Sequence, residues 1–103
     1  MDRILEMAQV VMEPTRATIL KSLLSNAKYI SELAGDIKLD RSSVAYHLSV
    51  LEQNNLVSSE YRILVEPHSK GKAARVYSVN LELYKKIING IETTLLPKFK
   101  PTI

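Results

Sequence analysis

Cysteine is absent from these 103 residues, which removes disulfide staples, thiolate metal sites and a cysteine nucleophile, and is compatible with a reducing compartment. The only histidines are His47 and His68, and no ordinary ligand spacing relates them. Neither a metal nor another cofactor is therefore expected. No apolar run approaches the ~18 residues of a membrane span, and the opening residues, with Asp2 and Glu6 flanking Arg3, lack a signal-peptide plan. A cytoplasmic protein with no membrane attachment is the expectation. No Ser/His/Asp set, phosphate-cradling glycine loop or pair of carboxylates at useful spacing stands out, so an enzyme is unsupported.

What is present fits one small domain over 1–103, with 46% hydrophobic residues and a net charge of +3. A core of this size covers limited apolar surface, and apolar stripes left over would point to oligomerisation. The charge is unevenly placed. Arg62, Lys70, Lys72 and Arg75 face Glu66 alone between residues 62 and 75, so this segment holds the whole excess, while ten basic and ten acidic side chains balance elsewhere. Such a concentration is the electrostatic footprint of a nucleic-acid contact, or else a solvated hairpin tip that is basic.

Along the chain, residues 3–12 put Ile4, Ala8, Val11 and Met12 on one side of a first helix. Pro14 suits the first position of a second, whose inner face is Ile19, Leu20, Leu23 and Leu24. Ser25, Asn26 and Lys28 read as a polar connector. A short third helix follows, with Ser31 as its N-cap and Leu33, Ala34 and Ile37 inward. Lys38, Leu39 and Asp40 separate it from a fourth helix at about 41–54, capped by Asp40, with Val44, Leu48 and Leu51 at i, i+4 and i+7. Two short helices across a three-residue turn have the layout of a helix-turn-helix, or of a purely structural helical hairpin. Asn54 and Asn55 end the fourth helix, with Leu56 as clasp. Strand-like alternation follows over Tyr61, Ile63 and Val65, Pro67 breaks it, and Arg75–Val79 resumes it. This predicts a basic hairpin wing at about 57–79, with Tyr61 and Tyr77 packing toward the core. Asn80 caps a last helix whose seam is Tyr84, Ile87, Ile88, Ile91 and Leu95, interrupted by Gly90. The fold expected is mainly α with a two-stranded β wing.

The outer side of the fourth helix carries Ser42, Ser43, Ala45, Tyr46 and Ser49, a small polar surface that suits base edges in the major groove of B-DNA. Arg41 opposes the helix dipole, and a phosphate nearby would offset that; a solvated arginine is the other reading. His68 lies near the wing tip, close to a phosphate or in solvent. His47 fits a packing residue bonded to nearby backbone better than a metal ligand.

The stretches EPTRATILKSLL (13–24), ISELAGDIKLDRSSVAYHLSVLEQNNLV (30–57), the basic tip at 70–72 and RVYSV (75–79) together resemble the ArsR-type winged helix-turn-helix regulators. The resemblance implies a homodimer joined through the first and last helices, and a double-stranded DNA target, read as a repressor reads its operator. The residues expected at DNA are Arg41, Ser42, Ser43, Ala45, Tyr46 and Ser49 on the helix and His68, Lys70, Lys72 and Arg75 on the wing. Metal-sensing relatives use a Cys-rich third helix or an Asp and His pattern on the last, and neither is present here. Glu13 stands where Asp is usual, and Asn55 where Gly is usual. A winged-helix module that docks on a protein and never reads DNA is the alternative, although charged residues are depleted at the centres of protein interfaces.

Overall fold

In a computed structural model, which describes residues 3–64 and 71–96, the order is α1 (Arg3–Met12), α2 (Pro14–Ser25), β1 (Lys28–Tyr29), α3 (Ile30–Ile37), α4 (Arg41–Gln53), β2 (Val57–Ile63), β3 (Ala73–Val79) and α5 (Leu81–Leu95). Local chemistry sets most of these boundaries. Pro14 occupies the first turn of α2, where its missing N–H costs nothing. The Glu13 carboxylate reaches back to cap it, accepting from the Thr15 and Arg16 N–H groups at 3.0 and 3.1 Å. Glu thus does the work of the shorter Asp. Asp40 caps α4 by accepting from the Ser43 N–H at 3.0 Å.

At the far end of α4, Asn55 takes a left-handed φ of 61°. The N–H groups of Asn55 and Leu56 then bond back to Glu52 and Leu51 at 3.0 and 2.9 Å, closing a Schellman motif with the buried Leu56 as its hydrophobic contact. Asn80 joins that end to α5. Its side chain accepts from the Leu83 N–H at 3.2 Å and donates to the Asn55 carbonyl at 3.0 Å.

Several expectations are corrected. The wing sheet has three strands, in the order β1-β3-β2, because Lys28 and Tyr29 pair antiparallel with Tyr77 and Val76. Two residues are too few to show an alternating pattern, so the stretch read as a connector. The cap position of α3 is Tyr29; Ser31 lies inside the first turn, and the Glu32 carboxylate satisfies the Tyr29 N–H at 2.9 Å. Tyr77 is buried, but Tyr61 is 71% exposed. In β2 only Val57, at the base of the hairpin, is fully buried, and from Glu60 to Ile63 the strand is exposed on both faces. Alternation there has no core to face.

The turn between α3 and α4 needs a left-handed residue, and Lys38 supplies it at φ 58°, with the Leu39 N–H closing onto the Ala34 carbonyl at 3.1 Å. Lys28 braces the same region from below, donating to Ser22 Oγ at 2.7 Å and to Asp36 at 2.8 Å. Those bonds hold the Asp36 carboxyl below its usual range, chiefly through the Lys28 hydrogen bond.

The core gathers Val11, Ile19, Leu20, Leu23, Leu33, Val44, Leu48, Leu51, Leu56 and Ile87. Each fully buried aliphatic side chain among them contributes ~1.5–3 kcal/mol relative to exposure. Met7 joins this core from α1, while Met12 and Leu24, placed inward by the helical pattern, are exposed. α1 and α5 approach closely at Gly90, where a Cβ would stand 2.8 Å from Ile4 Cδ1.

Candidate nucleic-acid interface

Because Val44, Leu48 and Leu51 are buried, helical geometry turns Ser42, Ala45 and Ser49 outward with Arg41 and Tyr46, all exposed; Ser43 is half-buried. Tyr46 is 61% exposed and its ring stands edge-on to His47 with centroids 5.0 Å apart. The serine hydroxyls of this face all have partners within the helix or its cap. The Asp40 carboxylate accepts from the Ser42 hydroxyl and from Ser43 Oγ at 2.8 Å. Its pKa is pulled down from 3.8 to about 2 by the Ser42 hydrogen bond first and then by those from Ser43. The Ser49 hydroxyl donates to the Tyr46 carbonyl at 2.7 Å. Sequence reasoning assigned Asp40 a cap and nothing more; the signal available was two hydroxyl residues at its second and third following positions.

His47, on the flank of this helix, fastens α4 to α2. Its Nδ1 lies 3.1 Å from the Arg16 guanidinium. An arginine has only protons to give, so Nδ1 accepts and the proton of the neutral ring sits on Nε2. Arg16 also donates from Nε to the Val10 carbonyl at 2.7 Å, and Glu13 Oε2 stands 3.4 Å from His47 Nδ1. Partial burial pushes the Glu13 carboxyl up, but the two N–H bonds at the helix start, with the Arg16 guanidinium nearby, hold it below its usual value. The partner of His47 is thus a side chain rather than the backbone. Among the described residues no three His, Cys, Asp or Glu side chains converge as a metal-binding group.

In the wing, two of the four cations counted from the sequence find acidic partners outside the counted segment. Arg75 donates to both Glu52 oxygens at 3.0 and 3.2 Å and to Ser59 Oγ at 2.8 Å. Its guanidinium lies 5.8 and 5.3 Å from the ring centres of Tyr61 and Tyr77, within cation–π range. Arg62 pairs with Glu60 at 2.8 Å. Lys72 is exposed and makes no ion pair among the described residues. His68, Lys70 and Pro67 lie outside the described residues. A cleft of about 580 Å³ separates wing from helix-turn-helix, lined by Tyr29, Glu32, Arg41, Tyr61, Arg75 and Tyr77 among others. The structure therefore brings Arg41 and Arg75 to one cleft and spreads the serines and Tyr46 along the neighbouring helix.

Residues 13–59 match the model of the bacterial regulatory proteins of the arsR family. The chain has a winged helix-turn-helix fold, and over residues 13–59 it is similar to the ArsR family. Solved structures extend the likeness past the matched segment to the wing and α5. NolR from Sinorhizobium fredii is 26% identical, with a TM-score of 0.65 over 89% of this chain and 84% of that one. A transcriptional regulator homologue from Pyrococcus horikoshii shares the fold at 20% identity and a TM-score of 0.68, covering 90% of each chain. The homodimeric winged helix-turn-helix DNA-binding domain of a possible ArsR-family regulator from Mycobacterium bovis superimposes with a TM-score of 0.60 at 14% identity, over 92% of this chain and 83% of that domain. No curated protein matches the chain. No helix among the described residues is long and apolar enough to cross a membrane.

Proposed function

We propose that the protein is a sequence-specific regulator of transcription that binds double-stranded DNA as a homodimer and represses by occupying its site, with all of 1–103 acting as one domain. α4 enters the major groove, Arg41 with Lys70 and Lys72 neutralises phosphates, and His68 and Arg75 lie at the DNA beside them, the Arg75 charge still paired to Glu52. The observation that carries this reading is the outer face of α4: small, polar and exposed over Arg41, Ser42, Ala45, Tyr46 and Ser49, on a helix whose inner stripe is anchored in the core. A helix presented this way fits a groove roughly 12 Å wide. Dimerisation through α1 and α5 is supported by apolar side chains that the core leaves uncovered, Met12 at 62% and Leu95 at 64% exposure, with Ile88 and Leu81 on the same helix as Leu95.

The test is selection of sites from a random duplex pool, followed by salt titration on the selected site. A two-fold dimer selects a palindrome with half-sites about one turn, ~34 Å, apart or a multiple of it. If Arg41, Lys70 and Lys72 of both protomers each neutralise one phosphate, the log-log salt slope is about −5. A pool that enriches no sequence sinks the reading. The internal pairing of Arg62 and Arg75 favours the second reading, a module that docks on a protein, and a salt slope near zero would select it.

A further inference from the structure

A serine hydroxyl has one proton and two lone pairs, and ordinarily contacts a base edge of either kind. On α4 that choice has been removed. The hydroxyls of Ser42 and Ser43 both end on the Asp40 carboxylate, which when ionised has no proton to offer. The hydroxyl of Ser49 ends on the Tyr46 carbonyl, which can only accept. All three protons therefore point into the protein, and what each oxygen presents outward is lone pairs. For Ser42 or Ser43 to donate to guanine O6 or N7, or to thymine O4, it would have to break a charge-assisted bond, the stronger kind.

We propose that Ser42, Ser43 and Ser49 address DNA only as hydrogen-bond acceptors, with Asp40 as the positioning residue that makes two of them so. The bases they read are then those with an exocyclic amino group in the major groove, adenine through N6 and cytosine through N4. This deepens the major-groove reading above and rests on it. The donor left on this surface for a base edge is the Tyr46 hydroxyl, which has no hydrogen-bond partner among the described residues. Acceptor edges, guanine O6 and N7 or thymine O4, fall to it, while Arg41 stays with the phosphates. Ala45, exposed beside it, leaves room for a thymine methyl. The half-site is thus divided by hydrogen-bond polarity, amino groups beneath the serines and a carbonyl beneath Tyr46.

The experiment starts from the site enriched from the random pool and finds the positions whose preference Ser42→Ala or Ser43→Ala relaxes. At those positions single functional groups are then deleted. Adenine is replaced by purine, which lacks N6, or cytosine by pyrimidin-2-one, which lacks N4; the opposing control removes thymine O4 or guanine O6. Loss of the amino group should weaken wild-type binding by about 5-fold to 150-fold, the equivalent of one base contact of ~1–3 kcal/mol, and should leave the serine variant unchanged. Loss of the carbonyl should affect neither. Asp40→Asn supplies the second arm. Asn also caps a helix well, but its amide NH₂ has only protons for a neighbouring hydroxyl, so a serine proton is turned outward and the sensitivity should move from amino to carbonyl deletion. Serine-dependent positions that respond to carbonyl deletion in wild type overturn the inference and leave DNA reading intact. So does an Asp40→Asn protein, folded by circular dichroism, whose sensitivities equal those of wild type. If that variant does not fold, the wild-type and serine arms decide alone. Failure to enrich any site removes the major-groove reading and this inference together.

Discussion

The outer face of α4 and the strands of the wing are both polar and exposed, but their polar groups are held in different ways. On α4 the partners are local. Asp40 takes protons from residues two and three positions on, and Ser49 bonds three positions back. In the wing the decisive partner is remote, since Arg75 reaches Glu52, on the last turn of α4 and 23 positions earlier. Local bonds order a surface without changing its net charge, whereas the remote pair cancels a cation that composition had counted toward DNA. A basic segment is therefore basic in effect only to the extent that the rest of the fold leaves its cations unpaired.

The largest effect that sharpens this contrast comes from beneath the two surfaces. Leu48→Ala, at a site 1% exposed, should cost about 2–5 kcal/mol in denaturant unfolding, because it removes buried contacts and leaves a cavity. Ile63→Ala on the outer wing, at 66% exposure, should stay within about 0.5 kcal/mol. Equal losses at both would show that the wing is anchored as firmly as the helix. Next in size is the split between two wing cations in salt titrations. Lys72→Ala should flatten the slope by about 1.8 for a dimer, at ~0.9 per phosphate contact, while Arg75→Ala, whose charge already faces Glu52, should change it far less. The opposite ranking would mean that Arg75 leaves Glu52 on DNA.

A smaller effect tests that pair directly. A double-mutant cycle of Glu52→Gln and Arg75→Ala should give a coupling of about 0.2–1 kcal/mol, because both side chains are partly exposed and water screens them. The smallest concerns Asp40 and pH. Its folded pKa of about 2 lies below the ordinary 3.8, so the folded state binds fewer protons than the unfolded one between those values. The stabilisation is fully present above the unfolded pKa and is lost as pH falls through the folded one. The stability gap between wild type and Asp40→Asn should accordingly be flat at neutral pH and change only as the pH falls below ~4 toward 2. A gap that changes near neutral pH would assign the titration to another group.

Most helix ends were legible because single residues mark them: Pro14 at the start of α2, Asp40 and Asn80 as caps, Asn55 in the left-handed region. Their physics is contained within a few neighbours. The start of α3 was not legible, because Tyr29 is no cap residue and its N–H is satisfied from Glu32. Neither was the left-handed Lys38, a conformation the turn imposes on a residue that does not prefer it. On the candidate surface, periodicity was enough to say which side chains face out. It could not say where their protons go or that Glu52 would meet Arg75, since the first depends on rotamers and the second on how α4 and β3 dock. The pattern likewise put Met12 inward and passed over Met7, because a helix leaving the core at its end exposes whatever the wheel places there.

The two-residue strand β1 has a consequence in time. It sits before α3 and α4, yet its partners Tyr77 and Val76 belong to the return strand of the wing, and that strand is the middle one of the sheet. During synthesis at ~5–20 residues per second, Val76 follows Tyr29 by about 2–9 s. Throughout that interval α2, α3 and α4 can coil and pack on one another, but β1 has nothing to pair with. Closing a loop of that length also carries an entropic cost that only the completed strand repays in contacts. The helices are thus made and can meet first, and the sheet that ties the chain ahead of α3 to the wing closes only once β3 has emerged.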